Sequence, residues 1–289
     1  MAFYSPLRYP GGKNKLSNFF KELIEENSLK GGWYIETYAG GSSVAISLLL
    51  EGYVSKIIMN DIDRSIYAFW HSILFETNKL CNMIKKIPVT INTWKKQKKI
   101  QKEKEKHSLL KLGFSTFFLN RTNISGIINA GAIGGLKQIN LWKIDARYNK
   151  ENLIKRIKLI SKYKNQIEIY NEDAMKFIKI ISKKLPKKTL FYFDPPYYVK
   201  GKQLYLNFYN DEDHKVVART ISNIKGYKWV ITYDNVPFIK KIYSNFKKRV
   251  YSLNYSAGHS HKGEEIMIFS KNLIPKPPLK STIKSPTFE

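Results

Sequence analysis

Residues 191–198, FYFDPPYY, set a run of strand-forming aromatics directly against two prolines. From Leu190 to Phe193 the chain has the continuous apolarity and β-propensity of a strand buried on both faces, as in a parallel sheet. Neither Pro195 nor Pro196 can donate to a ladder, so the strand stops there and Asp194 stands at its carboxyl end. In an open α/β sheet that edge is where ligands bind, which makes a carboxylate there a candidate for chemistry.

Outward from this strand the pattern repeats. WYIETY (33–38), KIIMND (56–61), QIEIYNED (166–173), TLFYFD (189–194), KWVITYD (228–234), VYSLNYS (250–256) and EEIMIFS (264–270) read as strands, with helical patterns between most of them. Seven such segments predict an α/β fold, a Rossmann-like doubly wound and mostly parallel sheet. The last two are separated by AGHSHKGE, too short for a crossover helix, so they should pair as an antiparallel hairpin at the sheet edge.

Residues 64–165 interrupt the rhythm. The interval is too long for one crossover and rich in helix formers, with the lysine-dense TWKKQKKIQKEKEKH at 93–107. It is expected to be an inserted, mainly helical subdomain, leaving residues 1–63 and 166–271 as the catalytic domain. A charge run of this kind is more often a solvated helix face than a binding site. Residues 272–289, rich in proline and lysine without periodicity, read as a flexible basic tail.

Fifty Lys and Arg oppose 23 Asp and Glu, a formal charge of +27, with 14% aromatics. That excess points to a polyanionic partner, although an AT-biased genome also enriches lysine. Cys81 is the single cysteine, so no internal disulfide forms and the expected compartment is reducing. It is read as a buried thiol, and no metal site is expected. The amino terminus shows no signal-like apolar region and VAISLLL is too short to span a bilayer, so the expected location is cytoplasmic, on the nucleoid.

The turn after the first strand, ETYAGGSS, places Gly40 and Gly41 for a tight bend, with Ser42 and Ser43 able to cap the next helix. Asp61 ends the second strand about twenty residues on, where an acidic side chain takes the hydroxyls of a ribose. The G-x-G-x-x-G pattern is absent, and Glu36 would repel a pyrophosphate while suiting the cationic amino acid end of S-adenosylmethionine. RYPGGK at 8–13 is either a loop over the sheet edge or a cap in which Tyr9 and Lys13 close on the methionine carboxylate. Asp173, ending the third strand, either accepts from an adenine amino group or caps the helix that follows.

An exocyclic amine on a nucleobase is a poor nucleophile, because its lone pair is delocalised into the ring. A catalyst must hold it with acceptors that favour a tetrahedral nitrogen. Asp194 supplies a carboxylate and Pro195 a carbonyl, while Pro195 and Pro196 fix φ and remove competing N–H groups. Tyr197 offers a stacking face worth about 1 to 3 kcal/mol per base, comparable to the cost of flipping one from a duplex.

Asp194-Pro195-Pro196-Tyr197 resembles the catalytic motif of DNA N6-adenine methyltransferases. Together with RYPGGK, ETYAGG and an insertion before the Asp-Pro-Pro-Tyr strand, it resembles the class alpha, Dam-like family over roughly residues 5–270. The resemblance implies S-adenosylmethionine as cofactor and double-stranded DNA as partner. It implies that Tyr9, Gly12 and Lys13 contact the cofactor, that Glu36, Tyr38, Gly40 and Gly41 wrap its methionine end, that Asp61 holds the ribose and Asp173 the adenine, and that Asp194 to Tyr197 hold a flipped target adenine. A cognate restriction endonuclease, a phage, or a solitary regulatory role are the settings it allows.

Where GATC-specific members resemble one another in an Asn-Val-Pro-Phe/Tyr-Gly segment, this chain reads FFLNRTNISGIINAGAIGGLKQINLWKIDARYN at 117–149, which predicts another target. Asn120, Arg121, Asn123 and Lys137 there are the expected base readers. His259 and His261 are expected to be phosphate contacts or plain loop residues rather than metal ligands. Two other readings stay open: an RNA or cytosine-N4 amine methyltransferase, and a non-catalytic DNA-binding subunit.

Overall fold

A computed structural model describes residues 4–8, 13–182, 185–199, 209–255 and 261–275. Seven strands form one sheet: β1 (Trp33–Glu36), β2 (Lys56–Asn60), β3 (Ile167–Tyr170), β4 (Thr189–Phe193), β5 (Lys228–Asp234), β6 (Lys247–Tyr255) and β7 (His261–Phe269). Their order is β3-β2-β1-β4-β5-β7-β6. The first five pair in parallel, and β7 runs antiparallel to both β5 and β6. The expected final hairpin is present, with β7 wedged inward so that β6 forms the edge.

Alternation along the strands sorts the core into two layers. Tyr34, Ile57, Met59, Leu190, Tyr192 and Val230 face one cluster, while Ile35, Ile58, Phe191, Phe193, Trp229 and Ile231 face the other. The first layer is covered by α1 (Ser17–Glu26), α2 (Ser43–Leu50), α3 (Arg64–Phe75), α4 (Thr77–Lys86), α6 (Leu109–Thr122) and α7 (Lys150–Ser161). The second is covered by α8 (Ala174–Ile181), α9 (Asp211–Ser222) and α10 (Pro237–Ile242). Each fully buried Leu, Ile or Phe contributes about 1.5 to 3 kcal/mol of transfer energy, so both layers hold the sheet edge rigid.

Helices α3 to α7, with α5 spanning Ile91–Lys102, fall within residues 64–161. Phe69, Trp70 and Phe117 of this stretch share a continuous core with Phe20 and Tyr34. The lysine run lies on α5, whose Thr93, Gln97 and Ile100 turn inward while Lys95, Lys96, Lys99 and Lys102 stay exposed. Cys81 is buried on α4.

The expected tail needs correction at its start. Leu273 is 1% exposed, and the Asn27 side chain clamps Ile274 by bonds to its N–H and its carbonyl at 2.9 and 3.0 Å. Residues 276–289 lie outside the described residues. No described helix is long and apolar enough to cross a membrane.

Candidate active site

The turn after β1 is fixed from three sides. Gly40 has φ +47°, a left-handed conformation that disfavours any Cβ. Its N–H donates to Asp61 Oδ2 at 2.8 Å, its carbonyl accepts from Trp70 Nε1 at 3.0 Å, and the Gly41 carbonyl accepts from Ser5 Oγ at 2.6 Å. The remaining Asp61 oxygen accepts from the Asp63 N–H at 2.9 Å. Burial pushes Asp61 up to about 6 against the pull of these two N–H donors. Ser42 does not cap α2 as expected: it adopts φ +43° and its hydroxyl turns back to the Ala39 carbonyl.

Glu36 closes β1 inside the protein. One carboxyl oxygen accepts from the Tyr34 hydroxyl at 3.4 Å, and the Ser42 hydroxyl and Ala45 N–H also favour the ionised form against burial. Burial pushes this carboxyl up to about 8. A buried acid beside the Gly40–Asp61 turn, met only by neutral donors, suits the ammonium of S-adenosylmethionine. Tyr38 lies half-buried with its hydroxyl 3.4 Å from that of Tyr209.

Across the same edge, the Asp194 side chain is 25% exposed. Its Oδ1 accepts from Thr232 Oγ1 at 2.6 Å, and Thr232 in turn bonds the Tyr192 hydroxyl at 2.9 Å. Lys13 Nζ approaches the same oxygen at 3.5 Å. The ammonium also donates to both oxygens of Glu265, at 3.2 and 3.1 Å, donates to the Tyr197 hydroxyl, and lies 4.8 Å from the Tyr197 ring centre. The Tyr251 hydroxyl donates to Glu265, its partner across β6 and β7. Burial alone would lower Lys13; Asp194 and Glu265 outweigh it and hold the ammonium above the ordinary lysine value. Burial raises Asp194, opposed first by Lys13.

Asp234, ending β5, accepts from the N–H groups of Tyr198 at 2.9 Å and Val199 at 2.7 Å. The segment leaving Asp-Pro-Pro-Tyr is thereby tied to the neighbouring strand. Glu265, Asp234, Thr232 and Tyr251 were not singled out by the sequence. A signal existed for one of them: Asp234 ends its strand as Asp194 does.

Asp173 is a helix cap, its Oδ1 accepting from the Met175 and Lys176 N–H groups at 3.0 and 3.1 Å, and the side chain is exposed at the sheet edge. Tyr9, Gly12 and His259 lie outside the described residues, and His261 opens β7. The base-reading expectation for Asn120 and Asn123 is corrected. Asn120 bonds the Arg8 N–H and carbonyl at 2.7 and 2.6 Å, and the Asn123 amide donates to the carbonyls of Ile127 and Ile128, both at 2.8 Å. Both side chains are buried and spent on backbone. Arg121 is 9% exposed, whereas Lys137 is exposed.

Five parallel strands, a reversed seventh lying inside the sixth, and the Gly40–Asp61 turn and Asp194 at the carboxyl edge make a Rossmann-like sheet, and the family whose model the chain matches makes it a methyltransferase. More narrowly, residues 9–256 match the model of the D12 class N6 adenine-specific DNA methyltransferases, and the chain belongs to that family. Among solved structures it is similar to an S-adenosylmethionine-dependent methyltransferase from Agrobacterium tumefaciens, at 10% identity and TM-score 0.39 over 91% of this chain and 61% of that one. It is likewise similar to the rRNA methyltransferase aviRa from Streptomyces viridochromogenes, at 10% identity and TM-score 0.38 over 91% and 86% of the two chains. No curated protein matches it.

Proposed function

We propose that this adenine methyltransferase flips its target base out of duplex DNA and holds the exocyclic nitrogen between Asp194 and the Pro195 carbonyl. The observation that carries this reading is the Asp194 carboxylate, fixed through Oδ1 by Thr232 with Lys13 beside it, which leaves Oδ2 to take an amine hydrogen. Tyr197 would stack on the base. The nitrogen lone pair forms the new N–C bond as the methyl–sulfur bond breaks, and the proton lost from nitrogen passes by way of Asp194 to solvent. S-adenosylmethionine supplies the methyl group. Asp61 would take its ribose hydroxyls through lone pairs not used by Gly40 and Asp63, Ile62, 56% exposed, would pack its adenine, and Asp173 Oδ2 would accept the adenine amine. Residues 64–165 would face DNA, led by the loop in which Leu136, Ile139, Leu141 and Trp142 are exposed beside Lys137.

The test is expression in a methylation-deficient bacterial host, followed by single-molecule sequencing that detects modified bases. One short motif carrying N6-methyladenine at nearly every occurrence is expected, and it would also distinguish a modification enzyme paired with a restriction endonuclease from an occasional marker. Unmodified DNA in cells holding folded protein would remove the reading.

The Glu36 carboxyl gives the cofactor a distinctive pH profile. Below about 8 the free protein carries this acid protonated, so binding a cation there releases a proton. Affinity should weaken about tenfold for each unit of acidification. Above about 8 the cofactor's own α-amino group loses its charge, so affinity should peak near there. Titration calorimetry between about pH 6.5 and 8, above the range of Asp61, is expected to show the acid limb in wild type and not in Glu36→Gln. An acid limb retained by the variant would take Glu36 out of the cofactor site.

A further inference from the structure

The end of α6 buries a positive charge that has no acidic partner among the described residues. Arg121 is nine-tenths buried and its Nε has no hydrogen-bond partner. The Tyr148 hydroxyl, on a ring packed 5.4 Å from Phe117 and 5.5 Å from Phe118, is also buried and unpartnered. Three more arginines converge there. Asn120 holds the Arg8 backbone against α6 and Arg8 Nη1 reaches the Asn123 carbonyl at 3.4 Å, while Arg156 Nη1 reaches the Ser5 carbonyl at 3.3 Å from α7. Arg147, one residue before Tyr148, is exposed and lies 5.6 Å over the Trp142 ring.

Among the described residues none of these four arginines forms a salt bridge. Burial first, then the neighbouring charges of Arg156 and Arg8, bring Arg121 down to about 9. Evolving chains bury a cation where it is paired, because an uncompensated one is costly. Two orphaned donors and three flanking guanidinium groups match the several acceptor oxygens and negative charge of a phosphoryl group.

We infer that Arg8, Arg121, Arg147, Tyr148 and Arg156 form an oxyanion pocket that takes a backbone phosphodiester of the substrate DNA. The site rests on the DNA-modifying reading above for its ligand's source, and it changes the role of Arg121 from reading a base to holding the strand. Arg8 stands five residues from Lys13, so the pocket and Asp194 are linked by a short length of chain.

Two measurements test it. Thermal unfolding in sodium phosphate and in sodium chloride at matched ionic strength should differ by about 2 °C more for wild type than for Arg121→Met, at phosphate near ten times its dissociation constant. Comparing increments removes the general stabilisation that phosphate gives any protein. Equal increments would overturn the pocket. Arg147→Gln, altered on the exposed rim, should show an intermediate increment and guards against misfolding of the buried variant. For duplex DNA of arbitrary sequence, the dependence of log affinity on log salt should lose about one unit of slope in each variant. An unchanged slope would overturn DNA as the source of the phosphate. Neither readout needs methyl transfer, so a chain that binds phosphate here but methylates no adenine would fail the catalytic reading and leave the pocket standing.

Discussion

Asp194→Ala should lower single-turnover methyl transfer to DNA by about a hundred- to a thousandfold, the usual loss when a preorganised polar partner of the reacting centre is removed. Cofactor affinity should change little, because the Gly40–Asp61 turn and Glu36 stand on other strands. The variant should fold, since Lys13 keeps Glu265 and Tyr197. Wild type should also show an acid limb placed above the ordinary aspartate range, because burial raises Asp194 and the ionised form is the acceptor. As pH falls through that value the carboxylate is protonated and the rate drops; Asp194→Asn, whose amide oxygen still accepts, should retain a weak activity without the limb. Radiolabelled cofactor and a duplex bearing the motif found by sequencing are sufficient. An alanine variant as fast as wild type would end the proposed mechanism.

Glu265→Ala should be the most destabilising single substitution near the site. Breaking a buried ion pair by removing one partner costs about 3 to 5 kcal/mol, because the other charge stays buried and under-compensated. Here Lys13 would keep only Asp194 at 3.5 Å, and the Tyr251 hydroxyl would lose its acceptor. In a chain of this size the melting temperature should fall by roughly 6 °C or more. Pairing Lys13→Met with Glu265→Gln should recover part of the loss, since the amide still accepts from Tyr251 and Asp194, though it loses the cation beside it, keeps the Thr232 hydroxyl. A melting temperature for Glu265→Ala within about a degree of wild type would show that the pair contributes nothing to stability.

The strands were legible because their signals are local. Phe191 to Pro196 combines apolarity with residues that cannot pair, and AGHSHKGE is short enough to force a hairpin, so β4 and the β6–β7 pair follow from arithmetic. That β7 slides between β5 and β6 was not legible, because nothing in a hairpin says which of its strands meets the existing sheet. Gly40 and Asp61 were readable as a pair from spacing, and they do meet. Asn120 and Asn123 misled for a physical reason: an amide that serves backbone carbonyls and one that serves bases look alike in sequence, and only burial separates them. Glu265 and Asp234 act through partners more than thirty residues away, Asp234 on the Tyr198 and Val199 amides and Glu265 on Lys13, beyond the reach of any local pattern.

The Lys13–Glu265 contact joins residues 252 positions apart, and that separation sets an order of events during synthesis. A ribosome makes β6 before β7, yet β7 lies between β6 and β5, so the nascent sheet must leave a strand-wide gap until the segment ending at Phe269 has emerged. Until then Lys13 lacks its principal counter-ion, Asp194 lacks a settled cation beside it, and β5 shows an unpaired edge. Products truncated before β7 would therefore leave the β5 edge open, exposed to proteolysis and aggregation.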